Sequence, residues 1–360
     1  MGKTSDKGWV QTVTGKIRPD ELGVTLPHEH FLIDQTLGGV YFVEPEDPRE
    51  RALAHQPVCM ENLSWVRYHT KDNLDNQMLT DIDAAIQEAR LFKEQGGCSI
   101  VDMTNRGIGR DPLALKRISQ ETGLHIIMGS GYYANSPLTH ETLGRLSEGD
   151  IAHEIVAEFT DGVEDTDIKP GIIGELGCSW PLTPTEAKGL RAGVIAQRET
   201  GATINIHPGR NDRAPLEIIE ILAAAGADLS RVVMSHMDRC GYSLETRLKL
   251  LDAGCYIEYD LFGFEGYYPA RVALAEGTLP DTPNDVGRIK EILDAIGRGY
   301  SSQLLLSHDI GMKVMLVRYG GWGYAHLLRE VVPLMQVFGM TREDIDTMMI
   351  DNPRRLLTLP

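Results

Sequence analysis

The sequence predicts an α/β protein built as a (β/α)8 barrel, and three observations predict it. From Asp81 onward, short apolar, β-branched runs alternate with longer amphipathic stretches. With an opening strand the count reaches eight strands, each followed by a helix. The runs are nearly continuous in apolar residues, as expected of parallel strands buried on both faces. Finally, 360 residues suit one large barrel as well as two average domains. No shift of composition marks a second domain, so residues 1–360 are read as one. An open doubly wound sheet is the competing closure, but such sheets usually carry fewer units.

Taken in order, the first strand runs through Gly23-Val24-Thr25-Leu26 and closes on Pro27-His28-Glu29-His30. Residues 35–79 have no clear βα assignment. They are expected to form an excursion after that strand, on the active-site side or against a neighbouring subunit. A helix over 83–93 is stopped by Gly96-Gly97, and 98–103 is the second strand. Asp111 is the expected N-cap of a helix over 112–120, because it precedes a proline in the first turn. The third strand, 125–129, leads to a mostly helical stretch over 138–159. Strands at 171–175, 202–207 and 231–236 are each followed by a helix, at 185–200, 215–225 and 244–253. Strand 255–259 precedes a helix over 286–296, and strand 303–309 precedes helical regions over 324–338 and 341–349.

A hydrophobic fraction of 42% allows a sizeable core, and the net charge of −17 argues against nucleic acid and anionic membranes as partners. The acidity does not imply a cationic substrate, but beside 11 histidines it leaves room for metal cations. Five cysteines (Cys59, Cys98, Cys178, Cys240, Cys255) are widely spaced without a Cys-x-x-Cys pair, which fits free thiols in a reducing compartment. Residues 1–6 carry no apolar signal region, and Asp6 spoils a myristoylation pattern. No run of 18 apolar residues suggests a membrane span. A cytoplasmic protein is expected.

In such a barrel, catalytic groups sit where strands end and βα loops begin. His28 and His30 are two apart at a strand end and therefore point to the same side, where they can hold a metal ion. A His-x-His pair alone is only a hint. Other strands, however, also finish in ligand-type residues: Glu175, His207, His236 and His308-Asp309, all at C-terminal ends of apolar runs. Four histidines with Glu175 and Asp309 are too many for one tetrahedral catalytic zinc, which keeps about three protein ligands. Divided between two ions sharing one carboxylate, they make two open sites about 3.5–4 Å apart. His308 faces away from its neighbour Asp309 and is read as structural or as supporting the ligands.

Val10-Gln11-Thr12-Val13 through Leu26-Pro27-His28-Glu29-His30 resembles the opening of the phosphotriesterase family of the amidohydrolase superfamily. Gly171-Ile172-Ile173-Gly174-Glu175-Leu176-Gly177-Cys178-Ser179-Trp180-Pro181-Leu182 and Ile206-His207-Pro208-Gly209-Arg210 place the chain near its phosphotriesterase-related, resiniferatoxin-binding-like branch. Met234-Ser235-His236-Met237-Asp238-Arg239, Glu258-Tyr259-Asp260-Leu261-Phe262-Gly263 and Tyr319-Gly320-Gly321-Trp322-Gly323-Tyr324 follow in the same order. The resemblance implies an amidohydrolase-type TIM barrel with two divalent ions, zinc first, with manganese, cobalt or iron as alternatives. His28, His30 and Asp309 would hold the more buried ion, His207 and His236 the more exposed one, and Glu175 would bridge them together with a hydroxide. The better-known phosphotriesterases bridge with a carboxylated lysine. Here Lys169 lies at the wrong end of the strand, so strong phosphotriester hydrolysis is not implied. A homodimer is implied.

The branch includes an enzyme acting on N-acetyltaurine, and other relatives open lactones. All these chemistries require a hydroxide to attack an electrophilic carbonyl or phosphoryl centre. Asp309 is the expected proton carrier to the leaving group. The leading expectation is a small amide or ester, best an N-acyltaurine or N-acyl amino acid. A lactone or phosphotriester on the same site, or a small-ligand-binding protein with vestigial catalysis, are the alternatives. An anionic amide needs a cation near the metals. Arg210, three residues past His207, is the first candidate. Arg239, three past His236, is the second; helix capping or pairing with an acid in the βα loop is the competing role of either one and weighs more for Arg239. Tyr133 falls where relatives place an aromatic over the metals, though it could equally pack. Glu258, Tyr259 and Asp260 end the seventh strand and either line the pocket or orient histidines. Gly107-Ile108-Gly109 lacks a dinucleotide fingerprint, while Cys178 and Met348-Met349 are read as core.

Overall fold

The computed structural model describes residues 8–37, 42, 44–133, 137–239, 242–265 and 281–360. Cys240 and the N-terminal residues 1–6, on which sequence readings were made, lie outside them.

Eight parallel strands form one sheet in sequential order. They are β1 (Thr25–Glu29), β2 (Ser99–Asp102), β3 (His125–Ser130) and β4 (Ile172–Gly177). β5 (Ile204–His207), β6 (Val232–Met234), β7 (Tyr256–Tyr259) and β8 (Leu304–Leu306) complete it. Ile126 and Ile127, Val232 and Val233, and Leu305 and Leu306 are all buried, so neighbouring positions on opposite strand faces are both covered. The sheet curls until β8 meets β1. There Ser307 Oγ donates to His28 O (2.8 Å) and accepts from His28 N (3.1 Å), and Asp309 N donates to His28 O (3.3 Å). A nearly closed (β/α)8 barrel results, with side chains finishing a seam that would otherwise be two open edges.

Strand ends differ from the sequence expectation where ligand-type residues sit. β6 stops at Met234 and β8 at Leu306, before His236 and Asp309. Those two residues have φ of 57° and 52°, left-handed values that a ladder does not accommodate. Non-glycine residues held there are uncommon and cluster at functional sites.

The helices follow their local signals. Asp111 accepts from Ala114 N at the start of Pro112–Thr122, as expected of the N-cap. The stretch expected to be mostly helical over 138–159 is two helices, Pro137–Arg145 and Glu148–Asp161. A reciprocal capping box of Ser147 and Asp150 opens the second. Near the C-terminus, wide π turns at Leu327–Val331 and Thr347–Asp351 run into Val332–Val337 and Asn352–Leu357. Pro333 and Pro353 lie just beyond them; each lacks the N–H an α-turn needs and crowds the carbonyl four residues back, which a wider turn relieves.

The excursion after β1 lies on the C-terminal side of the barrel. Ile33–Asp34 pairs antiparallel with Met78–Leu79, and two short helices, Pro48–Ala54 and Leu63–Tyr68, lie between. Buried amides lock it. Asn73 Nδ2 donates to Leu53 O (2.8 Å) and Gln56 O (2.9 Å), and Asn76 Oδ1 accepts from Val314 N (3.0 Å) in the loop after β8. At the opposite end the C-terminal turn covers the strand starts: Thr203 Oγ1 donates to Leu356 O (2.6 Å) and Arg231 to Thr358 O (2.7 Å). One mouth of the barrel is therefore plugged, and chemistry is left to the other. Cys178, Met348 and Met349 are buried in the core. Cys59, Cys98, Cys178 and Cys255 are free thiols. Among the described residues no helix is long and apolar enough to cross a membrane.

Candidate metal centre

All six residues singled out at strand ends converge at the open mouth. Period-two alternation turns His28 and His30 inward from β1, with ring centroids 5.7 Å apart. His28 Nε2 lies 3.5 Å from Glu175 Oε1 and 3.7 Å from Asp309 Oδ1, and His30 Nε2 lies 3.2 Å from the same Asp309 oxygen. On the other side, Glu175 Oε1 is 2.9 Å from His207 Nδ1 and 2.7 Å from His236 Nε2. Glu175 therefore stands between two histidine pairs and belongs to two of the three potential ligand groups among the described residues, His28-His30-Glu175 and Glu175-His207-His236; the third is His28-His236-Asp260.

The outward ring nitrogens are fixed. His28 Nδ1 meets Glu258 Oε2 at 3.1 Å, His30 Nδ1 meets Thr104 Oγ1 at 2.9 Å, and His236 Nδ1 meets Asp260 Oδ1 at 2.9 Å. Each partner can take the N–H and leave the inward lone pair free, the arrangement that metal-binding imidazoles use. Ser235 Oγ and Asn205 Nδ2 hold Glu258 Oε2 in turn, at 2.9 and 3.2 Å. Glu258 and Asp260 thus orient histidines, one of the two roles expected of them.

The donor set fits divalent cations. His28 Nε2 is buried with no hydrogen-bond partner, although its ring is clamped from behind. The buried Glu175, Glu258 and Asp260 and the partly exposed Asp309 crowd these imidazoles, and buried anions demand compensating positive charge. The titration directions show that demand. Burial disfavours a charged His28, yet Glu175, Glu258 and Asp260 outweigh it and hold the imidazole well above its usual range. His236 is likewise raised to about 9 against burial, chiefly by Asp260. His207 falls to about 3, mainly from burial, with Arg239 and His236 adding to it. Glu175 stays well below the ordinary carboxylate range despite its burial, because His207 and His28 face it.

A cavity opens over the cluster, lined by His30, His207 and Asp309 at its floor. Tyr133, Arg210 and Arg239 line it too. The Tyr133 ring stands edge-on to His207, with centroids 5.3 Å apart. Arg239 is largely committed to holding the β5 loop: it reaches His207 Nε2 (3.1 Å), Pro208 O and Tyr242 Oη (3.2 Å). Tyr259 is a correction. Its neighbours Glu258 and Asp260 both face the centre, so alternation turns the Tyr259 ring outward. It is 1% exposed and packs towards Arg247 and Glu291 of the surrounding helices, away from the cavity. Lys169 bonds Thr160 O near the other end of β4, away from the cluster, as its position implied.

Sequence reasoning missed Thr104, which anchors His30, and the cavity-lining Gln35, Thr70 and Lys71. Thr104 lies two residues beyond the end of β2, a signal that was available; the other three lie in a segment without periodicity.

The sequence matches the Phosphotriesterase family over residues 8–357. It is 40% identical over 373 residues to the N-acetyltaurine hydrolase of Dictyostelium discoideum, covering 98% of each chain. It is 41% identical over 356 residues to the human N-acetyltaurine hydrolase, covering 99% of each. The crystal structure of a resiniferatoxin-binding protein from Rhodobacter sphaeroides superposes with a TM-score of 0.89 at 38% identity, covering 97% of this chain and 95% of that one. The barrel, its converging strand ends and these likenesses together place the chain in the phosphotriesterase family of hydrolases.

Proposed function

We propose that this chain, acting as one barrel unit over 1–360 and as a homodimer, is a binuclear zinc hydrolase of small anionic N-acyl amides. N-acyltaurines and N-acyl amino acids are the substrate classes meant. The observation that carries the reading is Glu175 held between two histidine pairs beneath a cavity that also bears Arg210. The N-acetyltaurine hydrolases it resembles support the choice of amide.

His28, His30 and Asp309 would hold one ion and His207 and His236 the other, with Glu175 shared. Two divalent cations bound there supply Lewis acidity to the acyl carbonyl and let water ionise near neutral pH. The chain does the rest. Arg210 binds the anionic tail, Tyr133 covers the reacting centre, and Asp309 reaches both His30 and the cavity. As the water oxygen bonds to the acyl carbon, Asp309 takes its proton; as the C–N bond breaks, Asp309 returns that proton to the departing amine nitrogen.

The test is parallel turnover of N-acetyltaurine, N-acetyl amino acids, a lactone and an aryl phosphotriester by the zinc-supplemented protein, with a metal count. Amide turnover exceeding the other two classes is expected. Lactone or phosphotriester turnover exceeding it, or fewer than one transition ion per chain, would refute the reading. Arg210→Met should raise KM for anionic amides about tenfold or more with a smaller change in kcat, the loss of one charged hydrogen bond. Equal KM values would remove Arg210 from this role.

Thr104→Val should weaken metal binding at the His28-His30-Asp309 position about 10- to 100-fold, because His30 loses the only support given to its outer nitrogen among the described residues. Chelator titration followed by metal analysis reads this directly. An unchanged titration would show that Thr104 does not orient the ligand.

A further inference from the structure

The geometry points to Lys71 as a second anion-reading residue that, with Arg210, selects a tetrahedral oxyanion such as a sulfonate at the substrate's tail; this deepens the amide-hydrolase reading and rests on it. Lys71 comes from the excursion after β1, and Arg210 from the loop after β5. Both residues line one cavity, which the two cations enter from different loops. Asp309, on the floor, is the cavity's one acidic lining residue among those described.

Lys71 is built in rather than trailing. Its carbonyl accepts from Gln77 Nε2 (2.9 Å), and the preceding carbonyl of Thr70 accepts from Asn76 Nδ2 (2.9 Å). Asn76 and Gln77 are both fully buried. Lys71 Nζ donates to Gln35 Oε1 (2.7 Å), whose own amide donates to Gly311 O (2.8 Å), two residues past Asp309. A presented ammonium of this kind has already lost much of the freedom a lysine gives up on binding.

Two cations reaching one cavity from different loops discriminate by shape. A carboxylate has two coplanar oxygens, which a single guanidinium satisfies bidentately. A sulfonate has three oxygens around a tetrahedral sulfur, so one of them is left for the second cation after Arg210 has bound. Arg239 is not that second cation, since it is engaged with Pro208 O and Tyr242 Oη.

Calorimetry on the zinc-loaded full chain tests this without turnover, using ketone isosteres that have CH2 in place of the amide NH. The probes are 4-oxopentane-1-sulfonate, 5-oxohexanoate and the neutral 5-(methylsulfonyl)pentan-2-one. The sulfonate should bind about tenfold tighter than either other probe. Lys71→Met should abolish that preference and Lys71→Arg keep most of it, both with unchanged thermal midpoints. A wild type without the preference, or a Lys71→Met protein that retains it, overturns the proposal. If the binding pattern holds but no N-acyl amide is hydrolysed, the amide reading fails and the anion site stands. If amides are hydrolysed while Lys71→Met keeps the sulfonate preference, the amide reading stands and this proposal falls.

Discussion

If the chain holds the two ions proposed above, replacing Glu175 by glutamine should cut turnover about 100- to 1000-fold and lower the metal content to one ion per chain or fewer. The substitution preserves volume, so the barrel should keep its thermal midpoint. What changes is charge. Glu175 Oε1 now faces His207 Nδ1 and His236 Nε2 on one side and His28 Nε2 on the other. A neutral amide presents one oxygen and one NH2, and an NH2 group repels the cation it would have to share. Metal analysis and kcat on the best amide substrate check the prediction. Turnover within tenfold of wild type, with two ions retained, would mean that Glu175 is not shared between them.

Much of this centre was legible in the sequence for one physical reason. A strand buried on both faces is apolar until it leaves the sheet, so an imidazole or carboxylate at its C-terminal end stands out against its own run. His207 and His236 were readable in this way, and His28 and His30 by alternation as well. Alternation also separated His308 from Asp309, and the structure agrees: His308 Nε2 accepts from Leu327 N (3.1 Å), away from the cluster. The same rule applied to Tyr259 would have turned it outward once Glu258 and Asp260 were taken as inward-facing. Lys71 and Gln35 were not readable, because they are placed by buried amide side chains of the excursion rather than by a period. Nor does residue type announce the left-handed backbone at His236 and Asp309, which belongs to the tertiary structure.

Glu29, the residue between the two leading histidines, yields the second large effect. Facing opposite to them, it ties β1 to the segment after β8. Its Oε1 accepts from His308 N (2.9 Å) and His308 Nδ1 (2.7 Å), and its Oε2 accepts from Ile310 N (3.0 Å). Because Leu327 N donates to His308 Nε2, the imidazole proton sits on Nδ1 and points at Glu29. The N–H groups around this fully buried carboxylate are therefore all donors, and Ser307 Oγ, 2.9 Å from Oε1, is a hydroxyl beside them. Glu29→Gln turns one oxygen into a donor, so whichever way the amide rotates, at least one buried N–H faces another. Hydrogen bonds to a charged group are worth about 1.5–3 kcal/mol each, and losing one while weakening its neighbours should cost about 2–4 kcal/mol of stability. The two backbone N–H groups held by Glu29 belong to the residues on either side of Asp309, so the same change should displace that carboxylate. A loss of a few tenths of an ångström in placement is expected to lower kcat at least tenfold, since about 1 Å of misplacement can cost 100-fold. Urea unfolding and kcat measured on the same preparation separate the outcomes. A fall in both is the expected result, whereas an unchanged unfolding midpoint would mean that the seam between β1 and β8 is closed by Ser307 and backbone contacts without Glu29.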